Sequence, residues 1–272
     1  MTSDAAPRQE VIRTSIWQEE PEPDNPFAAA VCRCRGYDVY GELLGKASFI
    51  EYLCLLFLGE RPTQVQAKLL EILAIALANP GPRDASVHAA MSAGVGGSPA
   101  ASALMAALGV GAGGLGGGRE VRVAMEAWEQ LGCNLSDWEA FLRHPPHAER
   151  ADIWPEMEHA PGFDPHAVRC ATPVAQTLDT LAACGAGPHL PWLAGQRLTL
   201  ESAAGAPLAM SGVAAATCRD LGLSAEQGEM LYLLLRLPGA AVHALEQAQL
   251  GFKRFPFFHG AVKYVGQQPD NE

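Results

Sequence analysis

Gly109–Glu120 reads GVGAGGLGGGRE, and seven of its twelve residues are glycine. Glycine loses more backbone entropy on folding than any other residue, so a dense run implies unusual dihedrals or very close backbone approach. Gly111, Gly113 and Gly116 satisfy the G-x-G-x-x-G spacing of a dinucleotide-binding turn. That turn needs a strand leading in and a helix leading out. The residues before it, SPAASALMAALGV, are rich in Ala and Leu with one β-branched residue at the end, and they read as a helix. The run is therefore read as a turn between two helices, and the rest of the chain decides whether that turn floors an active site.

Upstream, Ser48 with Glu51 three residues on forms a capping box. Phe49, Leu53, Leu56 and Phe57 then share a helix face that Gly59 closes. Pro62-Thr63 opens a second helix, whose Val65, Leu69, Ile72, Leu73 and Ala76 recur at helical spacing until Asn79-Pro80. DASVHAAMSAGV is rich in small residues, which lets helices approach closely. Downstream, REVRVAMEAWEQLG is an amphipathic helix. Residues 132–165, dense in Pro, His, Trp and acids, read as irregular structure. Five further helices are expected, in TPVAQTLDTLAACGAG, LPWLAGQRLTLESAAGA, APLAMSGVAAATCRDLGL, SAEQGEMLYLLLRLPG (capped by Ser224) and AAVHALEQAQL. No segment alternates strictly with period two over five residues. The expected class is all-α.

Composition narrows the function. The chain has 272 residues, 49% hydrophobic and 18% charged, as suits a globular core. A formal net charge of −11 argues against nucleic acid as a partner. The seven cysteines show no C-x-x-C pair and no metal-type spacing with histidine. Scattered thiols and the lack of a signal peptide lead to the expectation of a cytoplasmic protein without a bound metal. No apolar run approaches the length of a membrane span.

Several segments, in order, carry a family resemblance. RGYDVYGELLGKASFIEYLCLLFLGERPT is similar to the RGYDIAELAGNASFEEVLYLLLHGELPT type of segment of the citrate synthase superfamily. DASVHAAM, the glycine turn, PGFDPHAV, APLAMSGVAAATCRDLGL and LRLPGAAVHALEQ continue it over roughly residues 30–266. The tail FKRFPFFHGAVKYVG is most similar to the citryl-CoA lyase branch. The resemblance implies an all-helical homodimer with a large and a smaller domain. Its expected division is an arm over 1–30, the large domain over 31–117 and 208–272, and the small domain over 118–207. It implies chemistry on acyl-CoA thioesters and oxo-acids, with coenzyme A as part of a substrate and no permanently bound cofactor.

That chemistry needs a carboxylate to take a proton beside a thioester, donors for the developing enolate, and arginines for carboxylates. The first family histidine, from GPLHGGANE, is replaced here by Gly116 in GGLGGGRE. The catalytic aspartate of NVDAHSG is replaced by Leu208 in APLAMSG, and an oxo-acid histidine of DHGLNAS falls near Gly81. The second histidine, from PGFGH, corresponds to His166 in the one-residue-longer PGFDPHAVR. Asp164 and His88 are candidates for the missing base, although a turn residue and a helix-face histidine are the plainer readings of each. Arg236, Arg254 and Arg169 match carboxylate-binding positions, against the alternative of ordinary salt bridges. His243 is expected as a satisfied core histidine, Trp128 and Trp138 as core or interface, and His144, His147 and His159 as loop surface. Two functions stay open: a carbon–carbon lyase or synthase with shifted groups, or a non-catalytic relative that binds a carboxylate or CoA ligand or partners an active subunit.

Overall fold

The computed structural model describes residues 12–143 and 159–255. Its helices are α1 (Phe49–Leu58), α2 (Gln64–Ala78), α3 (Ala85–Val95), α4 (Ala100–Gly111), α5 (Gly118–Leu131), α6 (Leu135–Arg143), α7 (Thr172–Ala182), α8 (His189–Ala204), α9 (Met210–Asp220) and α10 (Ala225–Leu250). Helices dominate, and the class is all-α as expected. Local chemistry sets the helix ends. The Ser48 hydroxyl accepts from the Glu51 N–H while the Glu51 carboxylate accepts from the Ser48 N–H, and Gly59 closes α1 at φ 86°. Thr63 with Gln66 and Ser224 with Gln227 make the same reciprocal bonds before α2 and α10. The glycine run joins α4 to α5, so no strand leads into it and the dinucleotide-binding geometry is absent.

Three local expectations are corrected. The segment after residue 132 opens with helix α6, whose Trp138 and Leu142 are buried. The two helices expected on either side of Pro238 are one, α10. Proline removes a helix hydrogen bond, but packing on both sides carries the helix through. A methyl group at Gly239 would lie 2.6 Å from the Ala78 carbonyl oxygen, and Ala240 and Ala244 are buried against Val87, Ala90, Ala103 and Ala107. The N-terminal stretch is strand: β1 (Trp17–Glu22), β2 (Asn25–Cys34) and β3 (Tyr37–Asp38) form an antiparallel sheet in that order. Every residue of β1 is exposed, so backbone pairing holds it without a buried face, and no alternation marks it in the sequence. Pro21, which cannot donate to a ladder, sits at its register shifts.

The chain divides into two compact units, one from Met1–Ala76 and Gly114–Tyr232, the other from Leu77–Gly113 and Leu233–Glu272. In the first, α5 packs on α9, and α8 on α6, α7 and α9. Trp128 and Trp138 are core residues at 3% exposure, in edge-to-face contact at 4.7 Å between ring centroids. Trp192 and His189 pack edge-on against Trp128. Beside them the fully buried Asp220 carboxylate accepts from the His189 N–H at 3.0 Å, the Leu190 N–H at 2.9 Å, and lies 2.7 Å from His189 Nδ1. It caps α8 from the end of α9. Asp220→Asn turns one acceptor into a donor facing these N–H groups, and is expected to cost about 1–2 kcal/mol. Urea denaturation followed by tryptophan fluorescence measures it.

In the second unit α3 packs on α4, and Gly94 lets α3 meet α10: a methyl group there would lie 2.3 Å from the Ala244 carbonyl oxygen. His243 Nε2 lies 3.1 Å from Asn79 Oδ1, so the histidine is partnered as expected, but it is only partly buried and not a core residue. Among the described residues no helix is long and apolar enough to cross a membrane.

All seven cysteines are free thiols. Burial pushes the Cys54 thiol up to about 11 and the Cys218 thiol up to about 12, from a usual 9.0. Both are expected to resist a thiol reagent at pH 8 until the protein unfolds, while exposed Cys133 reacts first. The unfolded chain loses these protons near the usual 9.0, whereas the folded chain holds them to about 11 and 12. Unfolding therefore releases protons in that window, and stability is expected to fall as pH rises through it.

Candidate functional site

Glu120 organises the first unit's candidate site. It occupies the third position of α5, behind an N-cap at Gly117, where a carboxylate reaches back to free backbone N–H groups. Its side chain is 1% exposed. Oε2 accepts from the Gly116 N–H, while Oε1 accepts from the Gly162 N–H at 2.8 Å and the Ser211 hydroxyl at 3.0 Å. Three segments far apart in sequence thus meet on one carboxylate: the glycine turn, the 159–166 loop and the first turn of α9.

Each segment has a backbone reason for its course. Gly116 takes φ 66°, a left-handed conformation that favours glycine, and its carbonyl accepts from the Tyr232 hydroxyl at 2.9 Å. Gly162, at φ 89°, lies against Gly212 so closely that a methyl group on it would sit 2.9 Å from Gly212 Cα. The Gly162 carbonyl accepts from the Ala209 N–H, and the Asp164 N–H donates to the Pro207 carbonyl. Phe163 and Leu208 pair between these bonds as an isolated antiparallel bridge. Leu208 is 3% exposed, with Cδ1 packed over Gly212. An aliphatic side chain there accepts no proton.

The expected site residues fall into two groups. In the first unit, Asp164 Oδ1 accepts from the His166 N–H at 2.9 Å, forming a side-chain turn that leaves His166 exposed, with Arg169 exposed three residues beyond. In the second unit, His88 is exposed on α3 with its ring 5.7 Å from that of Phe255. Arg254 is exposed in a short helical turn, Phe252–Arg254. Arg236 is buried and ion-paired with Asp84, whose Oδ1 also caps α3 through Ser86 and Val87. The arginine expected to hold a ligand carboxylate thus already holds one of the chain's own. Beside it, Ser86, Gly111, Leu233 and Leu237 line a cavity of about 10 Å³, room for about one water.

Two residues of this region were not singled out from sequence. Glu120 had a usable signal, an acid at the third position of a helix that follows a glycine run. His159, expected on the surface, has only 10% of its side chain exposed and lies 3.5 Å from Glu120 Oε1. Its partner is distant in sequence, and no local pattern reveals it. His144 and His147 lie outside the described residues.

No protein-family model and no curated protein sequence matches the chain. Solved structures do, and they show the fold: the chain folds like citryl-CoA lyase, ATP citrate lyase and citrate synthase. It is similar to citryl-CoA lyase from Hydrogenobacter thermophilus, with a TM-score of 0.74 and 19% identity over 96% of this chain and 97% of that one. It is similar to ATP citrate lyase from Methanothrix soehngenii, solved with citrate and coenzyme A, at a TM-score of 0.73 and 17% identity; 96% of this chain covers 42% of that one. Citrate synthase from Thermoplasma acidophilum, solved with carboxymethyl coenzyme A and oxaloacetate, matches at 0.61 and 16% identity, over 83% of this chain and 59% of that one.

Proposed function

We propose that the chain makes or cleaves a carbon–carbon bond between an acyl-CoA and an oxo-acid, using catalytic groups shifted from those of its structural relatives. His166 polarises the keto group, Asp164 or His88 stands in for the aspartate replaced by Leu208, and Arg236, Arg254 and Arg169 bind substrate carboxylates. Coenzyme A enters as part of the substrate, and no cofactor is permanently bound. The observation that supports this best is the meeting of the glycine turn, the 159–166 loop and the start of α9 on Glu120. These are the segments whose sequences resemble the family's catalytic ones, and a buried carboxylate is spent on keeping them together. The ligands of the matched structures, citrate with coenzyme A and carboxymethyl coenzyme A with oxaloacetate, agree in class. A cytoplasmic homodimer is part of this reading. Met230, Val242 and Leu245 expose apolar surface along α10, which a second subunit would cover.

A second reading has its own support. Gly116 has no side chain, Leu208 is aliphatic and packed, and Arg236 is occupied by Asp84. A non-catalytic relative, binding a carboxylate or CoA ligand or partnering an active subunit, fits these three. Incubation with citryl-CoA, with product acetyl-CoA and oxaloacetate measured, separates the two. Catalysed cleavage supports the enzyme. Binding without cleavage, or formation of acetyl-CoA at the uncatalysed rate, supports the non-catalytic relative.

A further inference from the structure

His159 opens the loop that runs to His166. Nine-tenths of its side chain is buried, and Nε2 forms no hydrogen bond. A buried polar atom left unpaired costs about 1–3 kcal/mol, and such an atom in a folded protein calls for a reason. Nε2 points at Glu120 Oε1 from 3.5 Å, just beyond a hydrogen bond. Glu120 is the residue that holds Gly116, Gly162 and Ser211. The imidazole therefore sits at the junction of the three segments, and Leu208, just ahead of α9, pairs with Phe163 of the loop. A carboxylate beside one ring nitrogen favours the proton on that nitrogen and frees the other to accept, as in a carboxylate–histidine pair. Asp164, by contrast, spends Oδ1 on its own turn.

We propose that His159 is the proton acceptor of this site, in place of the carboxylate lost at Leu208, with Glu120 orienting it. This rests on the acyl-CoA reading above, with His159 taking the base role that reading gives to Asp164 or His88. Nε2–H faces Glu120. Nδ1 takes a proton from the carbon next to the thioester carbonyl, the C–H electron pair moves into the enolate, and the imidazolium formed is stabilised by the Glu120 carboxylate. In the cleavage direction the same proton returns to carbon, so no oxidant or other reactant is needed.

The test is exchange of the acetyl-CoA methyl protons into deuterium oxide, with acetyl-CoA binding measured alongside, on the full chain. The wild type is expected to bind and to catalyse exchange. His159→Gln is expected to lower exchange about 100-fold or more with the dissociation constant changed less than threefold. His159→Phe, which fills the space without the unpaired nitrogen, is expected to melt no lower than wild type and to lack exchange. Undiminished exchange in the His159 variants overturns the assignment and leaves the acyl-CoA reading standing. Wild-type binding without exchange does the same. Failure of the wild type to bind acetyl-CoA at all overturns both. A large fall in melting temperature for His159→Phe identifies a structural histidine and overturns the assignment alone.

Discussion

Glu120→Ala is expected to lower the stability of the folded chain by about 3–5 kcal/mol, a large share of the 5–15 kcal/mol of a typical protein. The substitution removes one acceptor group but strands three donors: the Gly116 N–H, the Gly162 N–H and the Ser211 hydroxyl. Gly162 and Ser211 are buried, so each of their unmet donors costs its own desolvation, while the N–H of exposed Gly116 can turn to water. Glu120→Gln keeps the volume and one carbonyl oxygen, so it is expected to lose less than half as much. Urea denaturation of both variants measures the difference. A loss under 1 kcal/mol for Glu120→Ala would show that the three segments hold together without this residue.

Gly212→Ala is expected to destabilise by about 2–4 kcal/mol, although alanine is the better helix former by about 1 kcal/mol. The added methyl would lie 2.5 Å from the Gly162 carbonyl oxygen and 3.1 Å from Gly162 Cα. Both are backbone atoms, so no side chain can swing aside. The loop must lift off α9, breaking the bond from the Ala209 N–H to the Gly162 carbonyl and loosening the Phe163–Leu208 bridge. Calorimetric melting gives the stability loss, and any ligand of the site is expected to bind more weakly. A variant as stable as wild type would place the loop farther from α9 than the structure does.

Much of the fold was legible because helix ends and helix faces are local. Ser48 and Glu51 are three residues apart, and the bonds they make are the ones their spacing implies. The same holds for Ser224 and Gln227. What escaped is what depends on distant partners. Pro238 stops a helix when judged from its neighbours, yet the alanines after it are held by α3 and α4. The strands at Trp17–Glu22 and Asn25–Cys34 bury little, so the pattern that normally betrays a strand is missing. The candidate site divides in the same way. Gly116 and Leu208 were singled out by resemblance, and Leu208 is packed as an aliphatic residue would be. The burial of His159 depends on Glu120, and the pairing of Arg236 on Asp84, partners remote in sequence that only folding brings close.

The most direct test of a carboxylate-binding function is calorimetric titration with citrate, oxaloacetate and acetyl-CoA, on wild type, Arg236→Ala and Asp84→Asn, each first shown to be folded. Asparagine caps a helix as well as aspartate does, so Asp84→Asn preserves α3 while removing the charge that occupies Arg236. The account predicts that citrate or oxaloacetate binds wild type, binds Asp84→Asn more tightly, and does not bind Arg236→Ala. If neither acid binds any of the three, Arg236 serves structure rather than a ligand, and the carboxylate-binding function is contradicted.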